Sequence, residues 1–183
     1  GVLGLNVAPA RPSAEGVRDF TEPAARTAAA AVQSCALTLP AEFARAPLES
    51  SFISTGVAAQ PGVPPVVLLH SFDSSCLEFR RVMPLLAAAQ IEAYALDILG
   101  WGFTQTEGCS VSVDAKRAHL HAFVQQQLDG RPVLLMGSSL GCATIVDYVA
   151  AHGDAVEAAL LQDPQVLIDG APPVPEFAQR AGV

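Results

Sequence analysis

The sequence predicts an α/β fold, a mostly parallel sheet with flanking helices. Two observations carry this. From residue 66 onward, short apolar runs such as "VVLLH" and "PVLLM" alternate with longer amphipathic stretches, the order expected of strand–helix–strand units. Those runs are also apolar at successive positions, as strands covered on both faces are. Parallel strands joined this way take right-handed crossovers, and no repeat of fixed period interrupts the series.

Taken in order, Glu22–Leu37 is a candidate helix, with Thr21 as N-cap and Pro23 near its first position. "LESSFISTG", closing at Gly56, reads as a short leading strand. The Pro- and Gly-rich "AAQPGVPP" (58–65) is a breaker, and organised structure is expected after it. "VVLLH" is then a strand. "CLEFRRVMPLLAAAQ" is a helix limited or bent by Pro84, with Leu77, Val82, Leu85 and Leu86 on one face. "IEAYALDILG" is a strand, "VDAKRAHLHAFVQQQL" a helix and "PVLLM" a strand. "LGCATIVDYVAAHG" is a helix closed by Gly153, with Ile145, Val149 and Ala150 facing the sheet, and "VEAALLQD" is the last strand. The expected division is a poorly defined extension over 1–60, with a short helix and leading strand, and an α/β body over 61–183.

Bulk properties narrow the function. A chain of 183 residues, 51% apolar and 15% charged, has enough material for one packed core. A formal net charge of −8 gives no electrostatic reason to expect nucleic acid as a partner. The longest apolar runs, Val66–Leu69 and Val133–Met136, fall far short of the roughly 20 residues of a membrane span. Cys35, Cys76, Cys109 and Cys142 form no Cys-x-x-Cys pair, so free thiols in a reducing compartment are expected, with no metal cluster. "GSSLGCA" lacks the glycine spacing of a dinucleotide turn, and no cofactor is implied. In residues 1–50, Arg11, Arg18, Arg26 and Arg45 are balanced by Glu15, Asp19, Glu22, Glu42 and Glu49. Transit peptides are basic and poor in acids, so this stretch reads as a segment downstream of one and not as the targeting peptide itself.

The chemistry gathers at two turns. Gly137-Ser138-Ser139-Leu140-Gly141 lies between a strand and a helix, where small residues let the backbone turn tightly and hold Ser139 exposed. The helix that starts there aims free amides at the same point, and the Leu140 amide is placed to donate to an oxyanion. "LLHSFDSS" (68–75) is a strand ending in a loop of small residues, whose Phe72 amide would supply the second donor. His70, at that strand end, is expected to brace the loop by hydrogen bonds.

Together, "PPVVLLHSFDSSCLEFRRVMPLLAAAQIEAYALDILGWGFT" and "RPVLLMGSSLGCATIVDYVA" resemble the α/β-hydrolase fold. More narrowly, they are similar to a plant and algal, chloroplast-type branch carrying His-Gly-Phe-Asp-Ser-Ser and Asp-Ile-Leu-Gly-Trp-Gly-Phe stretches. The likeness runs over about residues 64–169. It implies Ser139 as nucleophile, Phe72 and Leu140 as oxyanion-hole residues, Asp97 as a structural brace and a chloroplast location. Ser71 stands where the branch has glycine, adding a side chain beside the oxyanion loop.

A serine nucleophile in this fold is followed by an acid and then a histidine. After Ser139 the sequence holds only His152, at the far end of the helix that Ser139 begins. Thirteen helical residues span about 20 Å, so His152 cannot reach back. His119 and His121 are expected on a solvated face. Asp163 is a candidate triad acid or a loop-capping residue, and Asp169 is a weaker candidate. The resemblance therefore implies the N-terminal portion of a serine hydrolase that acts on a small apolar ester, thioester or amide. As the isolated chain, without a cap or C-terminal strands, it is expected to be inactive. The alternative is a chain complete as given, a non-catalytic hydrolase-like protein that binds a partner or ligand. On the first reading the exposed sheet face and edge would make the isolated chain poorly soluble or self-associating, and on the second the uncovered edge would be a docking surface.

Overall fold

The computed structural model describes residues 19–104 and 106–164. Its order is α1 (Pro23–Ala30), β1 (Gln33–Leu37), β2 (Leu48–Ser54), β3 (Val66–Leu69), a 3-10 turn (Cys76–Phe79), α2 (Val82–Ala88), β4 (Ala93–Leu96), α3 (Val113–Gln127), β5 (Val133–Ser138), α4 (Leu140–His152), a second 3-10 turn (Gly153–Ala155) and β6 (Val156–Gln162). Six strands form one mixed sheet in the order β1-β2-β4-β3-β5-β6. β4, β3, β5 and β6 run parallel to one another, while β1 is antiparallel to β2, and β2 to β4.

Three sequence expectations about the N-terminal region are corrected. The candidate helix stops at Ala30, and Gln33–Leu37 is instead β1, paired with β2 from Gln33↔Phe52 to Leu37↔Leu48. Organised structure also begins well before the 58–65 breaker, since residues 33–54 supply two strands of the same sheet. The breaker connects β2 to β3. Glu22, not Thr21, is the N-cap of α1, with Pro23 at the first helical position. Glu22 holds α1 in place through Arg80 and Arg81, each at 2.8 Å.

Packing follows the two-residue period of the strands. In β3, Val67 and Leu69 join a core with Leu96, Leu120, Phe123, Leu135, Ile145 and Tyr148, whereas Leu68 joins Ala28, Ile53, Phe79, Met83, Ala93 and Ala95 on the other face. The buried side of α4 is Leu140, Cys142, Thr144, Ile145 and Tyr148. Of the three residues expected there, Ile145 is buried, while Val149 and Ala150 face outward. The stretch before β4 splits into a 3-10 turn and a short helix, which leaves Leu85 70% exposed instead of on a shared apolar face. Among the described residues, β6 pairs only with β5 and is exposed along Glu157–Gln162, including Leu160 and Leu161.

Candidate active site

The strand-to-helix turn has the geometry its glycines suggest. Ser139, half-buried, sits between β5 and α4 at φ 49° and ψ −105°, a region most residues with a side chain avoid. Its N–H donates to the Gln162 carbonyl at 3.1 Å, and its carbonyl accepts from the amides of Cys142 (3.0 Å) and Ala143 (3.4 Å). The flanking glycines make room for this. A Cβ on Gly137 would lie 2.7 Å from the Cys142 nitrogen, the Gly141 carbonyl carbon and Ile145 Cδ1. A Cβ on Gly141 would press on the Leu69 carbonyl and lie 3.0 Å from the His70 carbonyl oxygen. The first glycine lets β5 turn beneath α4. The second lets α4 rest on the end of β3.

That contact places the loop after β3 beside the turn, because Leu69 pairs with Gly137. His70 is fully buried. The Ile98 amide donates to its Nε2 at 3.0 Å, which fixes the proton on Nδ1, and Nδ1 donates to the Ser71 carbonyl at 2.7 Å. Burial pulls its pKa below the usual histidine value, only partly opposed by the bond to Ser71 and the charges of Asp97 and Glu78. His70 is thus a neutral brace with both nitrogens occupied.

Ser71 is held from the other side. Its amide and its hydroxyl both donate to Glu78 Oε2, at 2.9 and 2.5 Å. It does not have positive φ, so its Cβ imposes no backbone strain on the loop. With the Ser71 carbonyl turned to His70, the trans peptide points the Phe72 N–H the opposite way. Among the described residues, neither the Phe72 nor the Leu140 amide meets an acceptor. The Phe72 ring, 37% exposed, packs on Trp101 with centroids 4.6 Å apart.

Asp97 ties this loop to the one after β4. Its carboxylate accepts from the amides of Cys76 (2.5 Å) and Phe103 (2.7 Å). Burial raises its pKa, which the two amide bonds counter in part. Gly102, at φ +64°, passes so close to that carboxylate that a Cβ would overlap it. Asp97 therefore braces main chain.

Asp163 is exposed, one residue beyond Gln162, whose carbonyl receives the Ser139 amide. It has φ 47° and stands at the same sheet end as Ser139. Asp169 lies outside the described residues. His152 ends α4, about 20 Å along the helix from Ser139, and stacks on His121 at 4.1 Å. The expectation of a solvated face for His119 is corrected. It is buried, bonded to Ser50 Oγ at 2.7 Å, and burial lowers its pKa to about 4. His121 is half-buried against Tyr148. None of the four histidines is placed to serve Ser139.

A strand-to-helix serine turn beside a loop with a free amide, at the C-terminal ends of parallel strands, is the arrangement of the α/β-hydrolase class. The model of the alpha/beta hydrolase fold matches residues 64–182, and the chain belongs to that family. It is 43% identical over 109 residues to the alpha/beta hydrolase domain-containing protein VTE7 of Arabidopsis thaliana, covering 58% of this chain and 32% of that protein. It is 32% identical over 101 residues to 2-hydroxy-6-oxo-6-(2'-aminophenyl)hexa-2,4-dienoic acid hydrolase of Metapseudomonas resinovorans, covering 53% of this chain and 34% of the relative. A thermophilic esterase from Thermogutta terrifontis superposes with a TM-score of 0.65 at 20% identity, over 80% of this chain and 50% of that one. The chain thus spans about a third of the length of these curated relatives. No helix among the described residues is long and apolar enough to cross a membrane.

Proposed function

We propose that these residues form the nucleophile and oxyanion half of a serine hydrolase acting on a small apolar ester, thioester or amide. The observation that carries the reading is Ser139 at φ 49°, held half-buried between β5 and α4 by Gln162, Cys142 and Ala143. In the reaction, Ser139 Oγ attacks the carbonyl carbon while a base removes its proton. Negative charge collects on the carbonyl oxygen, where the Phe72 and Leu140 amides donate to it. The alcohol, thiol or amine leaves with a proton, and water then frees the acid from the acyl-serine.

The base is the missing part. His70 has both nitrogens engaged, His119 is sealed against Ser50, and His121 and His152 stack together at the far end of α4. In this reading the histidine comes from chain beyond these 183 residues, Asp163 is retained as candidate acid, and the 183-residue chain alone turns over little or no ester. The exposed Phe72 favours an apolar substrate. The resemblance to the chloroplast-type branch supports a chloroplast location. A second reading, a non-catalytic hydrolase-like binding or interaction protein, draws on the β6 edge, exposed among the described residues.

A fluorophosphonate probe tests the reading, with imidazole added as an external base. Peptide mapping is expected to find the adduct on Ser139, and S139A is expected to abolish it. An adduct elsewhere, or equal labelling of S139A, refutes the proposal.

A further inference from the structure

The mechanism uses the Phe72 amide but leaves open what aims it. The peptide between Ser71 and Phe72 belongs to a loop, and a loop donor is useful only if its direction is fixed before the reaction. Two groups grip the residue ahead of that amide. The His70 imidazole holds the Ser71 carbonyl, and one oxygen of Glu78 takes both the Ser71 amide and the Ser71 hydroxyl. The amide and hydroxyl of Ser71 thus converge on one carboxylate oxygen. Burial opposes its charge, yet these hydrogen bonds outweigh burial and leave its pKa below the usual carboxylate value.

Glu78 itself sits on a fixed mount. It lies in the 3-10 turn Cys76–Phe79, where the Ser75 hydroxyl caps the Leu77 amide and Asp97 takes the Cys76 amide. At the other end of the turn, Arg80 and Arg81 are paired with Glu22 from α1. The turn is therefore bound to β4 through Asp97 and to the N-terminal helix through Glu22. A side chain on such a mount holds its partner far better than one on a free loop.

We propose that Glu78 is a positioning residue for the oxyanion hole, acting through Ser71 to set the direction of the Phe72 amide. The inference rests on the reading of Ser139 and Phe72 given above. It also assigns a use to the serine that stands at 71 in place of glycine. A glycine there could give Glu78 only the amide bond. The seryl hydroxyl adds a second and removes the backbone freedom a glycine would bring.

The experiment compares wild type with Glu78→Leu, Glu78→Gln, Ser71→Gly and Ser139→Ala. It measures the maximal phosphonylation rate of Ser139 at fixed imidazole, the urea unfolding midpoint, and hydrogen exchange at the Ser71 amide. Glu78→Leu removes the acceptor and is expected to slow phosphonylation roughly ten- to hundred-fold, below the roughly hundred- to thousand-fold of a donor lost outright, because the Phe72 amide is misaimed and not removed. Glu78→Gln keeps a carbonyl oxygen with two lone pairs and should recover to within a few-fold of wild type, because neutral bonds are about half as strong. Ser71→Gly should fall between the two, and Ser71 amide protection should drop in Glu78→Leu and return in Glu78→Gln. A merely structural role would move the urea midpoint without this rescue of rate. Wild-type phosphonylation in folded Glu78→Leu overturns the inference. If that variant does not fold, a wild-type rate in Ser71→Gly overturns it. The reading of Ser139 fails separately, and takes this inference with it, if wild type is not labelled at Ser139 or Ser139→Ala is labelled equally.

Discussion

Substituting alanine at Gly141 tests whether close approach of α4 to β3 builds the site. The added Cβ would meet only backbone. The Leu69 carbonyl carbon lies 2.8 Å away and the His70 carbonyl oxygen 3.0 Å, with the Leu69 carbonyl oxygen nearer still. No side chain can swing aside, so α4 must lift from the end of β3. Overpacking of this kind costs about 1–3 kcal/mol, and rigid backbone neighbours put it at the upper end, about 3. Alanine returns about 1 kcal/mol of helix propensity, for a net loss of about 2 kcal/mol. With a urea slope of about 2 kcal/mol per M, the unfolding midpoint should drop by about 1 M. Gly153→Ala is the matched control. It ends the same helix at φ −56°, with nothing within 4 Å of its Cβ, and should be neutral or stabilising by about 0.5 kcal/mol. Phosphonylation of Ser139 should also fall in Gly141→Ala, since the same lift separates Leu140 from the His70 loop. A Gly141→Ala midpoint at or above that of wild type would refute the reasoning.

Two further outcomes rest on buried polar groups. Gly102→Ala forces a side chain into φ +64° and against the Asp97 carboxylate, so it should destabilise by about 2–3 kcal/mol in urea unfolding, the sum of the backbone penalty and a disturbed pair of amide bonds. His119 is neutral when folded, its pKa lowered from 6.5 to about 4 by burial, so the unfolded chain binds more protons between those values. Its contribution is full above about pH 6.5 and is lost as pH falls toward 4, an effect on the order of 3 kcal/mol. The difference between the pH–stability curves of wild type and His119→Gln isolates it, and a difference that stays flat from pH 7 to 4 would contradict the assignment.

The features legible in the sequence were local, and those that were not depended on distant partners. The serine turn was legible because its demands fall within five residues: Gly137 and Gly141 are required by backbone passing close to their own turn and to the adjoining strand end. β5, α4 and β6 could be read from apolar runs whose period needs no partner to interpret. β1 was hidden because "QSCAL" comes after an alanine run that favours helix, and its strand state comes from pairing with residues 48–52. His119 read as solvated because its neighbours on α3 are polar; its burial is decided by Ser50, 69 residues away. Ser50 and Ser51, adjacent to Phe52 and Ile53 in β2, were the available signal, since hydroxyls buried with such a strand need partners. Glu78 carried no periodic signal at all, as its role depends on a loop seven residues earlier.

The same division bears on the proposed site, whose donor side can be well formed whatever supplies the base. The elements around the proposed oxyanion site are fixed by main-chain bonds to His70, Glu78 and Asp97, all within residues 70–103, and by α4 resting on β3 at Gly141. These contacts belong to the folded sheet and need no further residue. Proton transfer is different. It needs an imidazole within about 3 Å of Ser139 Oγ, and each histidine present is spent on a structural contact or lies at the far end of α4. In the proposed reaction the contributions of the hole and of the base are thus physically separable. External imidazole should accelerate phosphonylation of Ser139 in proportion to its concentration while leaving the effects of Glu78→Leu and Gly141→Ala undiminished, because it replaces the proton acceptor and not the donors.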